Sequence, residues 1–137
     1  SLKYIGEDAN FSSLISAQGL DSLQNIVGGS DFSSLPEATG LNNLQNIGEH
    51  AGFSNLIIAK GLDNLQNIGG IAYFPKLITA DGLENLRHIG GYADFGSLIN
   101  AESLYNLKYV GRRFDFRSLT STKGLENINI DYMDSNR

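Results

Sequence analysis

Two carboxylates, Asp94 and Asp115, come closest to a reactive pair in this sequence, since they lie 21 residues apart. On adjacent parallel strands in register, their side chains would be about 4.8 Å apart. Such a pair can serve as general acid and base or hold a cation. Arg113 and Arg117 flank it and would repel a bound metal ion. We therefore predict no metal, no cofactor and no enzyme activity.

The neighbouring positions favour recognition of a partner. Ile71, Tyr73 and Tyr92 alternate with the inward residues Ala72 and Phe74 and their equivalents, so we expect them to point outward together. Tyr and Arg are the usual anchors of protein interfaces. The predicted partner-binding residues are Ile71, Tyr73, Tyr92, Asp94, Arg113, Asp115 and Arg117.

The same residues have a simpler interpretation, which is a solvated sheet face carrying cross-strand pairs such as Asp94 with Arg113. Glycan binding, with Tyr73 and Tyr92 as stacking platforms, is a weaker alternative to a protein partner. His50 and His88 stand alone in their surroundings, and we predict that His88 is a turn residue.

Bulk composition excludes several classes of protein. The chain has 137 residues, 41% hydrophobic and 18% charged, which suits one globular domain spanning 1–137. The net charge of −5 argues against nucleic acid as a partner. No apolar run approaches the ~20 residues that span a bilayer, so membrane insertion is not expected. Without cysteine there are no disulfides or thiol chemistry.

The elements that would position these residues come from a repeat of 21 residues without insertions or deletions. Each unit reads LxxIGxxAxFxxLxxAxGLxN. A unit this short cannot bury its own apolar face, so units must stack as a solenoid. The six units span 2–22, 23–43, 44–64, 65–85, 86–106 and 107–127.

The spacing within a unit predicts one parallel strand at the Ala-x-Phe element, where two apolar residues lie two apart. "GLDNLQN" suits a tight helical or 3-10 turn, and "LITA" and "LIIA" suit a second short strand or an extended side. The repeated Gly is expected at a corner with positive φ. The Asn of "GLxN" is expected to satisfy backbone groups in the stacked turns.

"GLDNLQNIGGIAYF", "GLENLRHIGGYADF" and "IGEHAGFSNL" resemble the leucine-rich repeat superfamily, and specifically short bacterial units similar to receptor L-domains and surface antigens. The resemblance covers residues 2–127. It implies a right-handed solenoid with a parallel sheet on one face, usually the partner-binding face. Ala replaces the first strand Leu and the usual Asn after the strand is absent, so a right-handed β-helix-like stack is the alternative. Cys-rich caps are absent, which favours a bacterial source.

The predicted function is a non-catalytic protein-interaction module. The alternatives are a display spacer of a bacterial surface adhesin and the recognition region of a secreted effector whose catalytic domain is absent. These favour a surface or secreted location. The chain starts at Ser1 in mid-pattern and abandons the repeat at 128–137, so we expect part of a longer protein, with 128–137 a cap or a following segment.

Overall fold

The computed structural model of the chain describes residues 2–128, so the predicted cap or following segment at 128–137 lies outside the described residues apart from Ile128. Six coils stack along one axis, and each contributes two strands of two residues. The first sheet contains β1 (Tyr4–Ile5), β3 (Asn25–Ile26), β5 (Asn46–Ile47), β7 (Asn67–Ile68), β9 (His88–Ile89) and β11 (Tyr109–Val110). The second sheet contains β2 (Ala9–Asn10), β4 (Ser30–Asp31), β6 (Ala51–Gly52), β8 (Ala72–Tyr73), β10 (Ala93–Asp94) and β12 (Phe114–Asp115).

All strand pairs are parallel, and each residue faces its counterpart 21 positions along the chain. Tyr73 is paired with Asp94, for example, and Asn46 with Asn67. The backbone continues the ladder beyond the strands, as where the Phe53 amide donates to the Tyr73 carbonyl at 3.0 Å. The predicted solenoid, with parallel strands about one repeat apart, is therefore confirmed.

The sequence predicts one strand per coil, whereas the structure has two. The second strand lies at the Asn-Ile pair, and its Asn is the last residue of the segment predicted to be a tight turn. "LIIA" and "LITA" form only isolated bridges, Glu37 with Ile58 and Thr79 with Asn100, so this third side is extended but not a sheet. Backbone hydrogen bonds from the adjacent coils stabilise the Asn-Ile strand, which local propensity would not predict.

The core is a set of columns running along the axis. Its largest column is a ladder of phenylalanine rings whose centroids lie 5.1 to 5.4 Å apart and whose planes are within 18°. This spacing follows the spacing of the strands and allows near-parallel stacking of the aromatic faces. The ladder contains Phe11, Phe32, Phe53, Phe74, Phe95 and Phe116.

In five of the six described coils, one corner of the coil is made by glycine with positive φ, as predicted. Gly61 has φ +110° and Gly82 has φ +106°. The fifth coil has Ser103 in this column, and there the backbone forms a 3-10 turn over Glu102–Leu104. No described residue other than glycine has positive φ. Serine therefore changes the shape of the corner rather than entering the strained region.

The asparagine column joins each coil to the previous one, as predicted. The Nδ2 of Asn64 donates to the carbonyl of Asn42 at 2.6 Å, and the Nδ2 of Asn85 donates to that of Asp63 at 2.6 Å. Each bond satisfies a turn carbonyl that the coil itself leaves unpaired. Equivalent bonds are made by Asn43, Asn106 and Asn127.

Candidate functional site

The predicted partner-binding residues lie on the outer side of the second sheet, in the fourth to sixth coils. The strand register aligns Tyr73, Asp94 and Asp115 in one column. The column beside it, just before the strands, contains Ile71, Tyr92 and Arg113. The carbonyls of Tyr92 and Arg113 accept hydrogen bonds from the backbone amides of Ala72 and Ala93, one coil earlier. The tyrosine patch is the name used below for Ile71, Tyr73 and Tyr92.

The tyrosine patch is partly open to solvent. The Tyr73 side chain is 40% exposed, while Ile71 and Tyr92 are half-buried. Burial raises the pKa of the Tyr92 phenol, and the carboxylates of Asp115 and Asp94 raise it further. The guanidinium groups of Arg117 and Arg113 act in the opposite direction. All four charged residues predicted for this region therefore act electrostatically on the Tyr92 phenol.

Asp115 was predicted to be an outward, partner-binding residue. In the structure it is buried, with an exposed fraction of only 4%. Arg117, two residues on in the same coil, lies over it and donates from Nε to Oδ1 at 3.0 Å and to Oδ2 at 2.9 Å, with a further bond from Nη2. Among residues 2–128, Asp115 and Arg117 are one of two ion pairs, and the anticipated Asp94–Arg113 pair is not formed. Arg117 remains exposed and presents the outer edge of the pair.

Asp94 and Asp115 also stabilise the backbone where their strands end. Asp94 Oδ1 accepts from the Gly96 amide at 3.0 Å, and Asp115 Oδ1 accepts from the Arg117 amide at 3.1 Å. Asp31 makes the same bond to the amide of Ser33 at 3.0 Å. This repetition of an Asx turn indicates a structural role for the column in addition to any contact with a partner.

Replacing Asp115 with Asn should alter how stability depends on pH. The hydrogen bonds from Arg117 lower the pKa of Asp115 in the folded protein below its ordinary value near 3.9. Its ionised form then stabilises the fold above about pH 4, and this stabilisation is lost as pH falls through the lower, folded pKa. We expect the wild type to be the more stable above that range and the difference to shrink in acid.

Urea unfolding of both proteins between pH 2 and pH 7 measures this effect. Asp115→Asn is a suitable variant because the amide oxygen can still accept from the Arg117 backbone, while the charge and one acceptor for the Arg117 guanidinium group are removed. A stability difference that stays constant over the whole pH range would contradict the assignment.

Two exposed features of the solenoid were not predicted. The first is a column of isoleucines on the third side, which are about half-exposed or more. In the sequence, this column is indicated by an Ile that follows the inward Leu in four of the six units. The column contains Ile15, Ile57, Ile78 and Ile99, with Ile58 beside it.

The second feature lies on the outer side of the first sheet, where side-chain amides form a chain. Asn46 Nδ2 donates to Asn25 Oδ1 and Asn67 Nδ2 donates to Asn46 Oδ1, each at 2.7 Å. His88, predicted as a turn residue, instead lies on β9, and its ring stacks on Tyr109 at 4.9 Å. The available signal was the Gln-Asn pair of "LQNI", which ends the segment "GLDNLQN" predicted to be a tight turn.

A shallow depression of about 270 Å³ lies on the second sheet near the first coils. Two side chains at its edge accept amide hydrogen bonds from the next coil: Asp8 Oδ1 from Gly29 at 2.8 Å, and His50 Nδ1 from Ile71 at 3.0 Å. Through these bonds, the side chains of Asp8 and His50 help to hold one coil against the next. Within residues 2–128, no group of three or more His, Asp or Glu is placed to hold a metal ion.

The fold defines the class of this protein as a β-solenoid with two parallel sheets. No family model, curated protein or solved structure matches the chain. The leucine-rich repeat resemblance therefore stays a prediction. The structure adds that no helix in the described part of the chain is long and apolar enough to cross a membrane.

Proposed function

We propose that this solenoid is a non-catalytic module that binds a protein partner through the tyrosine patch. The observation that supports the proposal is the position of Tyr73 and Tyr92 on adjacent coils of a rigid sheet, one exposed and one half-buried. The backbone ladder fixes the spacing of the two strands beside which the tyrosines lie. Binding therefore requires little ordering of the protein, and this lowers the entropic cost of association.

The charges around the patch suit a polar rim. Arg113 is exposed and forms no ion pair with a described residue, so it is available to a carboxylate of the partner. Arg117 is restrained by Asp115 and presents the remaining edge of its guanidinium group. A half-buried aromatic centre with a rim of mixed charge, in which Arg113 is the unpaired cation, fits a partner surface that has an apolar pocket and a carboxylate beside it.

The test replaces both tyrosines with alanine. A photo-reactive phenylalanine at position 73 would cross-link the partner in an extract of the natural source, and calorimetry with the purified partner would give the affinity. We expect Tyr73→Ala with Tyr92→Ala to weaken binding about 100-fold or more, because truncated anchors at interface centres have effects of this size. The unfolding midpoint should change little with Tyr73→Ala, since Tyr73 is outward, and somewhat more with Tyr92→Ala, since Tyr92 is half-buried.

Tyr4→Ala with Tyr109→Ala is the matched control, because it removes two exposed tyrosines from the other sheet. It should leave the affinity unchanged. If this pair or the isoleucines Ile57 and Ile78 control binding while the Tyr73 and Tyr92 variants do not, the tyrosine patch is not the site. If no partner is cross-linked, the display-spacer function is favoured instead.

A further inference from the structure

The outer side of the first sheet is lined by amides, cations and aromatic rings. Its two outward columns contain no carboxylate, although the chain has 15 Asp and Glu residues and a net charge of −5. We name it the amide face. Three coils in the middle provide Gln-Asn pairs, and the coils on either side provide a cation with an aromatic ring. From first to last coil the pairs are Lys3-Tyr4, Gln24-Asn25, Gln45-Asn46, Gln66-Asn67, Arg87-His88 and Lys108-Tyr109.

The middle of the amide face is a preorganised row of hydrogen-bonding groups. The Asn25, Asn46 and Asn67 amides are held in line by their mutual bonds of 2.7 Å, at the strand spacing of about 4.8 Å. Each carboxamide has two N–H donors, so Asn46 and Asn67 each keep one donor for a ligand and Asn25 keeps both. The Oδ1 of Asn67 ends the chain as an acceptor. A row of this kind suits a ligand with hydroxyl groups at regular intervals.

The last two coils add charge and a stacking surface. Arg87 and Lys108 are exposed, lie in adjacent coils and form no ion pair with a described residue. The rings of His88 and Tyr109 are parallel within 12°, and Tyr109 is 42% exposed. Two unpaired cations beside an aromatic surface attract an anionic group attached to a planar or ring-shaped unit.

We propose that the amide face binds a linear anionic polysaccharide. Its hydroxyl groups would bond to the Asn and Gln amides, a sugar ring would lie against the exposed edge of the His88–Tyr109 stack, and its carboxylate or sulfate groups would meet Arg87 and Lys108. The acid-free face on an otherwise acidic protein gives the charge complementarity. Single-stranded nucleic acid fits less well, because its bases need successive aromatic platforms, whereas Asn25, Asn46 and Asn67 occupy the middle of this face.

The experiment titrates the purified chain with four probes: polygalacturonate, dextran sulfate, neutral dextran and oligodeoxythymidylate. Tighter binding of polygalacturonate or of dextran sulfate than of neutral dextran supports the proposal, and the better of the two identifies carboxylate or sulfate as the anionic group. Binding should weaken as salt is raised. Preference for the oligonucleotide, or no binding of either anionic polysaccharide, overturns it.

The matched variants keep the net charge equal. Arg87→Gln with Lys108→Gln should weaken polysaccharide binding about tenfold or more, because both cations are lost from one site. Lys60→Gln with Lys76→Gln removes the same charge elsewhere and should have little effect. Equal losses in the two pairs would show general charge attraction and overturn the site.

Asn46→Leu tests the amide row at nearly constant side-chain size, and it should weaken binding while leaving the circular dichroism spectrum unchanged. Binding unaffected by Asn46→Leu would remove the amides from the proposal. Tyr73→Ala with Tyr92→Ala should bind polysaccharide normally, so failure of this proposal and failure of the protein-binding proposal can be distinguished.

Discussion

Phe74→Ala should lower the free energy of unfolding by about 3–5 kcal/mol. Phe74 is fully buried and stacks between Phe53 and Phe95, with centroid distances of 5.1 and 5.4 Å. Alanine would leave a cavity in the middle of the ladder and remove both stacking contacts. The strands on either side are fixed by their backbone bonds and can move little to fill it. Denaturant unfolding monitored by circular dichroism measures the loss.

Tyr73→Ala is the control for this variant, since it removes a ring of similar size from the adjacent residue on the solvent side. It should change the unfolding free energy by about 0.5 kcal/mol or less. Similar losses for the two variants would mean that Phe74 and Tyr73 are not on opposite sides of the sheet.

Gly61→Ala should also be strongly destabilising, by about 2–6 kcal/mol. Gly61 has φ +110°, a conformation in which side chains are strained. A methyl group there would also lie 2.3 Å from the carbonyl oxygen of Ala38 in the previous coil. That oxygen belongs to backbone and cannot rotate away, so the coils would have to separate locally.

Gly19→Ala separates the two causes. Gly19 occupies the same corner of the first coil with φ +95°, but nothing lies within 4 Å of the added methyl group. Gly19→Ala should lower the free energy of unfolding only by the backbone strain at this position, about 1–3 kcal/mol. A loss as large as that of Gly61→Ala would show that strain, and not the close approach of coils, sets the requirement for glycine.

The inward columns were predictable because stacking fixes them. Leu, Ile, Phe and Ala recur every 21 residues, and an outward position has no such requirement. The Asn-Ile strand was not predictable in the same way. Asn has low strand propensity, and only the carbonyls of adjacent coils and the neighbouring amides stabilise Asn46 in an extended conformation.

The candidate site was predictable in its columns but not in its exposure. The repeat places Asp94 beside Asp115, and the register confirms it. The burial of Asp115 depends on how Arg117 lies over it, a local choice of side-chain conformation that repeat spacing does not specify. The amide face was not predicted, because its Gln-Asn pairs end a segment whose pattern suits a tight turn rather than a strand.

The constant register has a consequence for how the length of this protein can vary. The strands pair with those of the adjacent coils, Asn64 bonds to the previous coil, and a methyl group at Gly61 would meet the previous coil. A duplication or deletion of one whole unit in the gene would therefore join coils that already fit each other. The length along the axis can change only in steps of about 4.8 Å, one coil at a time. A surface built from several coils, such as the amide face, would lengthen by the same steps.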